Sequence, residues 1–295
     1  MGHGWRGSIS ISMAALRRFL LILLVVLIAI PILADRTKLK PEFNIFSIAQ
    51  DVELGRKLSK DIEAGTETLQ SPGAMEYLNS LGRRLAAKAP GGGQCRFEFK
   101  IVNDRSINAM GLPGGNVYVN RGTIEAAENE AQLAGVIAHE IGHVVLRHGT
   151  HQISNAYIQE VPLSTVGATG SKSVTAVLAK IGGGFAASSI VLRNPLEAEN
   201  QADLLGTQII YDVGYDPAAA AKFFEKLDIK SDGPKIAFIG AHPSPANRID
   251  NVTREIKKLG AIPSNAIVDS REYQKVKQLV SDLPEPKGAP VPHRD

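Results

Sequence analysis

Residues 129–149, Asn-Glu-Ala-Gln-Leu-Ala-Gly-Val-Ile-Ala-His-Glu-Ile-Gly-His-Val-Val-Leu-Arg-His-Gly, constrain the fold more than any other stretch of the chain. They read as a helix: Asn129 can cap the first turn with Gln132 three residues on, and Gly149 can end it. Leu133, Ala134, Val136, Ile137, Ile141, Val144 and Val145 make that helix apolar nearly all round, so it is buried. At its centre stands His139-Glu140-Ile141-Gly142-His143. Residues four apart share a helix face, so His139 and His143 can aim two imidazoles at one metal ion. Glu140, rotated roughly 100° from His139, can reach a water beside that ion without being a ligand. Two satisfied core histidines are the alternative. Burying two imidazoles and a carboxylate among aliphatic side chains is costly unless they are paired or metal-bound, which favours the metal.

A hydrolytic zinc site takes three protein ligands and leaves one position for water. An H-E-x-x-H-x-x-G-x-x-H continuation is excluded, because Leu146 and Gly149 stand where Gly and His are needed. His148 lies about 140° round the helix from His143 and cannot join the same ion. His151 falls beyond the helix stop. Cys95 is the only cysteine, which excludes a thiolate zinc site and an internal disulfide framework. Glu199 stands in Glu199-Asn-Gln-Ala-Asp203, on a helix that Asn194-Pro195-Leu196-Glu197 opens with an N-cap and a proline at the first position. The i, i+4 spacing puts Asp203 on the same face, where a carboxylate can accept the outer N–H of a ligating histidine. Taken by themselves these two acids read as a solvated surface pair, since exposed acids are the rule.

Around these motifs the pattern is mostly helical. Apolar spacing predicts helices over Phe43–Ala64 and Ser71–Ala89. Alternation predicts a strand over Arg96–Val102 and two more short strands flanking the Gly114-Gly115 turn, making a small sheet. Residues 150–192, low in charge and rich in Ala, Gly, Ser and Thr, read as a loosely packed helical hairpin covering the site; a mobile apolar flap is the other reading. The helix opened at Asn194-Pro195 stops at Gly214, and Asp216-Pro217 opens another that ends near Asp228. A helix beginning at Pro245 carries Arg248 and ends at Gly260, and a last one spans Ser270–Asp282. The tail from Pro284 holds four prolines and no apolar pattern, so disorder is expected over 284–295. The fold class expected is α+β, with one domain over 35–283.

The N-terminus addresses the compartment. Arg6, Arg17 and Arg18 precede an uncharged, largely Leu, Ile and Val run from Phe19 to Ala34. That arrangement reads as a secretory signal or as a single membrane anchor over 1–34, with the remainder exported in either case. A net charge of +3 gives no nucleic-acid footprint.

Four motifs in this order, Asn108-Ala109-Met110-Gly-Leu-Pro-Gly-Gly, His139-Glu-Ile-Gly-His143, Glu199-Asn-Gln-Ala-Asp203 and His242-Pro-Ser-Pro-Ala-Asn-Arg248, resemble the HtpX-like and CAAX-prenyl-protease-type zinc peptidases, metallopeptidase family M48. The similarity covers about residues 43–282. It implies a zincin-type fold, one Zn2+ held by His139, His143 and Glu199, and Asp203 orienting a histidine. It also implies that Glu140 acts as general base and that His242 and Arg248 come close to the metal. His242 would either donate to the oxyanion or fill zinc's fourth position at rest. The strand at Asn108 and Ala109 would take an extended peptide by backbone hydrogen bonds. The chain lacks the several spans of the intramembrane members and is similar instead to the small exported branch linked to envelope protein quality control. The function expected is an exported zinc endopeptidase acting on unfolded or misassembled envelope polypeptides, in the periplasm or at the inner membrane. A non-catalytic, chaperone-like protein that keeps fold and metal is the alternative.

Overall fold

Sequence-encoded caps set where the elements begin. The computed structural model describes residues 36–160, 194–229, 242–243 and 247–284. The expectations for 1–34, for most of the 150–192 cover and for the tail beyond Pro284 lie outside these residues. Helix α1 (Ile48–Gly65) starts at Ser47, whose hydroxyl and the Gln50 side chain satisfy each other's backbone N–H groups. Helix α2 (Pro72–Ala86) has its proline at the first position, where no intrahelical donor is needed.

Strands β1 (Glu98–Val102), β2 (Ala109–Gly111) and β3 (Asn116–Asn120) form one sheet in the order β1-β3-β2. β1 runs parallel to β3 and β2 antiparallel to it, so the small sheet expected is a mixed one. α3 (Arg121–Ala126) follows, then α4 (Glu130–Val145), the helix with the H-E-x-x-H motif. Every residue of α4 from Glu130 to Val144 is buried, as its all-round apolar pattern requires.

The cap at Asn129 accepts from Gln132 N–H, but the reciprocal bond goes one residue further back, from Glu128 N–H to the Gln132 side chain. The stop also comes earlier than Gly149. Leu146 caps α4, and Arg147 takes φ 59°, the only non-glycine with positive φ among the described residues. Its guanidinium bonds Asp51 twice, at 2.6 and 3.0 Å, and the Phe46 carbonyl at 2.6 Å. That buried pair offsets a left-handed arginine, which costs about 1–2 kcal/mol. Gly149 therefore lies inside the next helix, α5 (His148–Glu160).

α6 (Leu196–Val213) begins one residue later than expected. Pro195 is extended at ψ 157° and occupies the N-cap, so Asn194 makes no cap bond, while Glu197 and Glu199 fall in the first turn. α7 (Pro217–Ile229) is capped by Asp216, which accepts from Ala218 N–H. α8 (Arg248–Leu259) begins at Arg248 rather than Pro245, with residues 244–246 outside the description. α9 (Arg271–Ser281) starts from Ser270, which accepts from Tyr273 N–H.

α4 is the axis of the core, with α6, α7, α2 and β2 packed round it. The α4–α6 crossing is close because it lacks side chains: a Cβ on Gly142 would stand 3.2 Å from Ala202 Cα, and one on Gly206 3.1 Å from His139 N. A strap from Arg36 to Ser47 lies across α5, α6 and α8 without regular structure. Arg36 pairs with Asp212, Thr37 donates twice to Glu255, Asn44 donates to Thr150, and Ile45 N–H donates to Ser154. No helix among the described residues is long and apolar enough to cross a membrane.

Gly111 sets how near β2 lies to α4, since a Cβ there would sit 2.8 Å from the Glu140 carbonyl and 3.0 Å from a Val144 methyl. Gly111→Val should force the strand off the helix and cost about 1–3 kcal/mol, the usual penalty of overpacking. Chemical denaturation measures it; an unchanged midpoint would show that β2 can move without loss.

Candidate active site

One turn of α4 carries His139 and His143, and the first turn of α6 brings Glu199 against them. His139 Nε2 lies 3.0 Å from His143 Nε2 and 3.2 Å from Glu199 Oε2; His143 Nε2 lies 3.3 Å from Glu199 Oε1. His242 Nδ1 completes the group, 3.3 Å from His139 Nε2 and 3.1 Å from Glu199 Oε1. All four residues are buried, Glu199 fully. The expected ligands Glu199, His139 and His143 are thus brought to one point, and His242 is with them.

The donors suit a metal ion. Around an ion with donor distances of about 2.0–2.1 Å, neighbouring ligand atoms of a tetrahedron are roughly 3.3–3.4 Å apart, close to the spacings seen here. Glu199 Oε2 is buried without a hydrogen-bond partner, a costly state that a cation would relieve. Two imidazoles and a carboxylate are a donor set that zinc commonly takes.

The electrostatics point the same way. Burial opposes the Glu199 anion, yet the ring nitrogens of His143, His139 and His242 hold its carboxyl well below the usual carboxylate range. The N-terminal position of Glu199 on α6 adds to this, since helix N-termini favour negative charge. Burial also opposes a charge on His139, but the Asp203 and Glu199 carboxylates outweigh it and raise that imidazole to about 10. Burial alone dominates at His143, pushing it well below its ordinary value.

The partners behind the clustered donors are specific. His139 Nδ1 lies 2.9 Å from Asp203 Oδ1, so the carboxylate one turn beyond Glu199 reaches the ring nitrogen of His139 that faces away from the donor cluster. Arg248 clamps Asp203 with both nitrogens, Nε to Oδ2 at 2.7 Å and NH2 to Oδ1 at 2.9 Å. Its guanidinium stacks 4.5 Å from the Phe224 ring centre, and NH2 is 3.6 Å from Glu199 Oε2. Arg248 is therefore near the donor cluster but engaged with the carboxylates.

Glu140 lies beside the donors and is buried; its Oε1 has no hydrogen-bond partner and is 3.4 Å from His242 Nε2. At the sheet edge, the Asn108 N–H donates to Thr123 Oγ1 and its carbonyl accepts from Asn120 N–H. Leu112 N–H likewise donates inward, to Asn116 O. Alternation along the strand then leaves the backbone groups of Ala109 and Gly111 on the outer edge of β2. Gly111, missed in the sequence, joins Ala109 there, while the Asn108 backbone is occupied. Its buried Oδ1 has no hydrogen-bond partner.

His148 was also missed. Its Nδ1 lies 2.8 Å from His143 Nδ1 and its Nε2 lies 3.1 Å from Gln201 Oε1, with burial pushing its pKa down to about 4. On one helix continuous over 129–149 His148 would diverge from His143; the break at Arg147 turns it back. His151 points elsewhere, to the Phe43 carbonyl at 2.7 Å and Glu42 at 3.1 Å.

Comparison with known proteins gives the family. A profile described as Peptidase family M48 matches residues 72–256. The chain is 31% identical over 236 residues to the beta-barrel assembly-enhancing protease of Escherichia coli (strain K12), covering 74% of this chain and 47% of that protein. Against the beta-barrel assembly-enhancing protease of Yersinia pestis it is 30% identical, over 76% of this chain and 47% of that one. Against the mitochondrial metalloendopeptidase OMA1 of Schizosaccharomyces pombe it is 28% identical, over 71% and 62%. The chain spans about half the length of the bacterial relatives it matches. With a profile covering most of the chain and the donor cluster built from its motifs, this protein belongs to peptidase family M48.

Proposed function

We propose that this chain is a zinc-dependent endopeptidase that hydrolyses polypeptides of the cell envelope, exported by its N-terminal segment. The observation that carries the reading is the convergence of His139, His143 and Glu199 on one point with the buried Glu140 carboxylate, whose Oε1 makes no hydrogen bond, beside it. His139, His143 and Glu199 would hold the zinc. When bound, zinc supplies Lewis acidity, polarising a carbonyl and making a water acidic near neutral pH. Glu140 takes the proton of the attacking water and returns it to the leaving amine. Asp203, held by Arg248, keeps the His139 ring oriented, which makes both of them positioning residues. The outer edge of β2 at Ala109 and Gly111 offers an extended peptide the backbone groups of a sheet edge. Bacterial relatives named for β-barrel assembly and the apolar, arginine-led N-terminus support envelope proteins as substrates.

Of the two roles expected for His242, the spacing favours a blocking one. Its Nδ1 is as near to Glu199 and His139 as those ligands are to each other, so it sits within the donor set. A histidine there occupies the position that water needs, and the protease rests silent until the 242–243 segment moves.

Glu140→Gln should abolish cleavage of casein while one zinc equivalent stays bound, as metal analysis of the purified protein would show; loss of the metal along with activity would reassign Glu140 as a ligand. Glu199→Ala should release the zinc and lower the melting temperature, because binding to the native state stabilises it. A full zinc equivalent in that variant would place the third ligand elsewhere. His242→Ala should raise the basal rate of hydrolysis. A drop of about 100-fold would instead fit donation to the oxyanion, and the wild-type rate would dismiss both roles.

A further inference from the structure

The two histidines on α4 have different partners behind them. His139 faces a carboxylate, Asp203, whose role the i, i+4 spacing made visible. His143 faces another imidazole. His148 is 1% exposed, its ring is tilted 73° to that of His143, and the two Nδ1 atoms are 2.8 Å apart. Two imidazole nitrogens at that distance form a hydrogen bond only if one carries the proton and the other the lone pair.

Gln201 decides which is which. Its Nε2 donates to Glu42 Oε1 at 3.1 Å and to Glu197 Oε1 at 3.3 Å, so both amide hydrogens point at carboxylates. The amide oxygen is thereby turned to His148 Nε2, 3.1 Å away. An amide oxygen only accepts, so His148 carries its hydrogen on Nε2. A neutral imidazole with Nε2–H has its lone pair on Nδ1, and that lone pair can only accept from His143 Nδ1–H. His143 must then present its own lone pair on Nε2, the atom 3.0 Å from His139 Nε2 and 3.3 Å from Glu199. The opposite tautomer of His143 would put a hydrogen at the metal point.

We infer that His148, oriented by Gln201, is a positioning residue that fixes the ligating tautomer of His143. The inference rests on His143 being a zinc ligand. Arg147 makes the arrangement possible: its left-handed turn ends α4 and brings the next side chain back beneath the one five residues earlier. Continued as a helix, residues 143 and 148 would diverge.

His148→Leu removes the acceptor, whereas His148→Asn keeps an oxygen near the position of Nδ1. In the full chain, with zinc affinity read by competition against a chelator, His148→Leu should bind zinc about 10–100-fold more weakly. His148→Asn should recover most of that loss. A purely structural role would instead lower the melting temperature of the zinc-free protein in both variants and leave zinc affinity unchanged, which would overturn the inference. A second readout does not depend on the metal. In zinc-free protein labelled with 15N-histidine, His143 should show its proton on Nδ1 in the wild type and a shift toward Nε2–H in His148→Leu. If the wild type carries the proton on Nε2, the inference fails even where zinc is bound. If the Nδ1 tautomer is found but no zinc binds, it is the proposed function that fails. Should His148→Leu not fold, Gln201→Leu on the more accessible helix face tests the same chain; its zinc affinity should fall several-fold, and an unchanged value counts against the relay.

Discussion

Several ring nitrogens and carboxylate oxygens are held about 3 Å apart in a part of the molecule closed to water. Left alone, such a group is a liability, because each desolvated atom needs a partner and like poles face one another. Much of the remaining structure can be understood as what keeps that group assembled. The α4–α6 crossing brings the donors together through glycine and alanine, where backbone rather than side chain sets the approach. Asp203 and Arg248 fix one ring, His148 and Gln201 the other. The aliphatic faces of α4 press against α2, α7 and β2 and give the helix nowhere to move.

The elements outside the core act on the same crossing. The strap at Arg36–Ser47 has no apolar periodicity, yet Arg36 and Thr37 tie Asp212 on α6 to Glu255 on α8. Gln208 on α6 donates to the same Glu255 at 2.7 Å, so the helix bearing Glu199 and the helix bearing Arg248 share one buried carboxylate. Arg147 plays the equivalent part on the other side, joining the end of α4 to Asp51 on α1. The positions of Glu199 and Arg248 thus depend on residues far from the metal point.

What the sequence revealed follows from the range of the interactions. His139, Glu140 and His143 were legible because their relation is local: one helix, one turn, one period. The helices and the mixed sheet were legible for the same reason, through caps and alternation. Glu199 was not readable from spacing, since nothing within α6 says which helix it will face; the family resemblance supplied it. Boundaries failed where a backbone conformation was decided by distant partners. Gly149 is the residue that chain statistics would choose to end α4, but Asp51, 96 residues away, makes Arg147 the better stop. That single displacement hid His148. Gly111 was missed because its importance lies in a contact with the Glu140 carbonyl, which no linear pattern encodes.

The buried carboxylates have a consequence for which ions the site can accept. Among the described residues, Glu140, Glu199 and Asp203 lie within the enclosure with Arg248 as the one guanidinium. With these carboxylates ionised and the imidazoles neutral, as ligation requires, the groups named leave two negative charges, which a doubly charged cation would cancel. A monovalent ion would leave the enclosure negative and a trivalent one would leave it positive, each at the cost of an uncompensated charge away from water. In the proposed hydrolysis, a proton passing from water to Glu140 would move charge inside this enclosure without changing its total. For an ion held there, the neutrality of its surroundings would favour a valence of two, separately from the shape of the donor set.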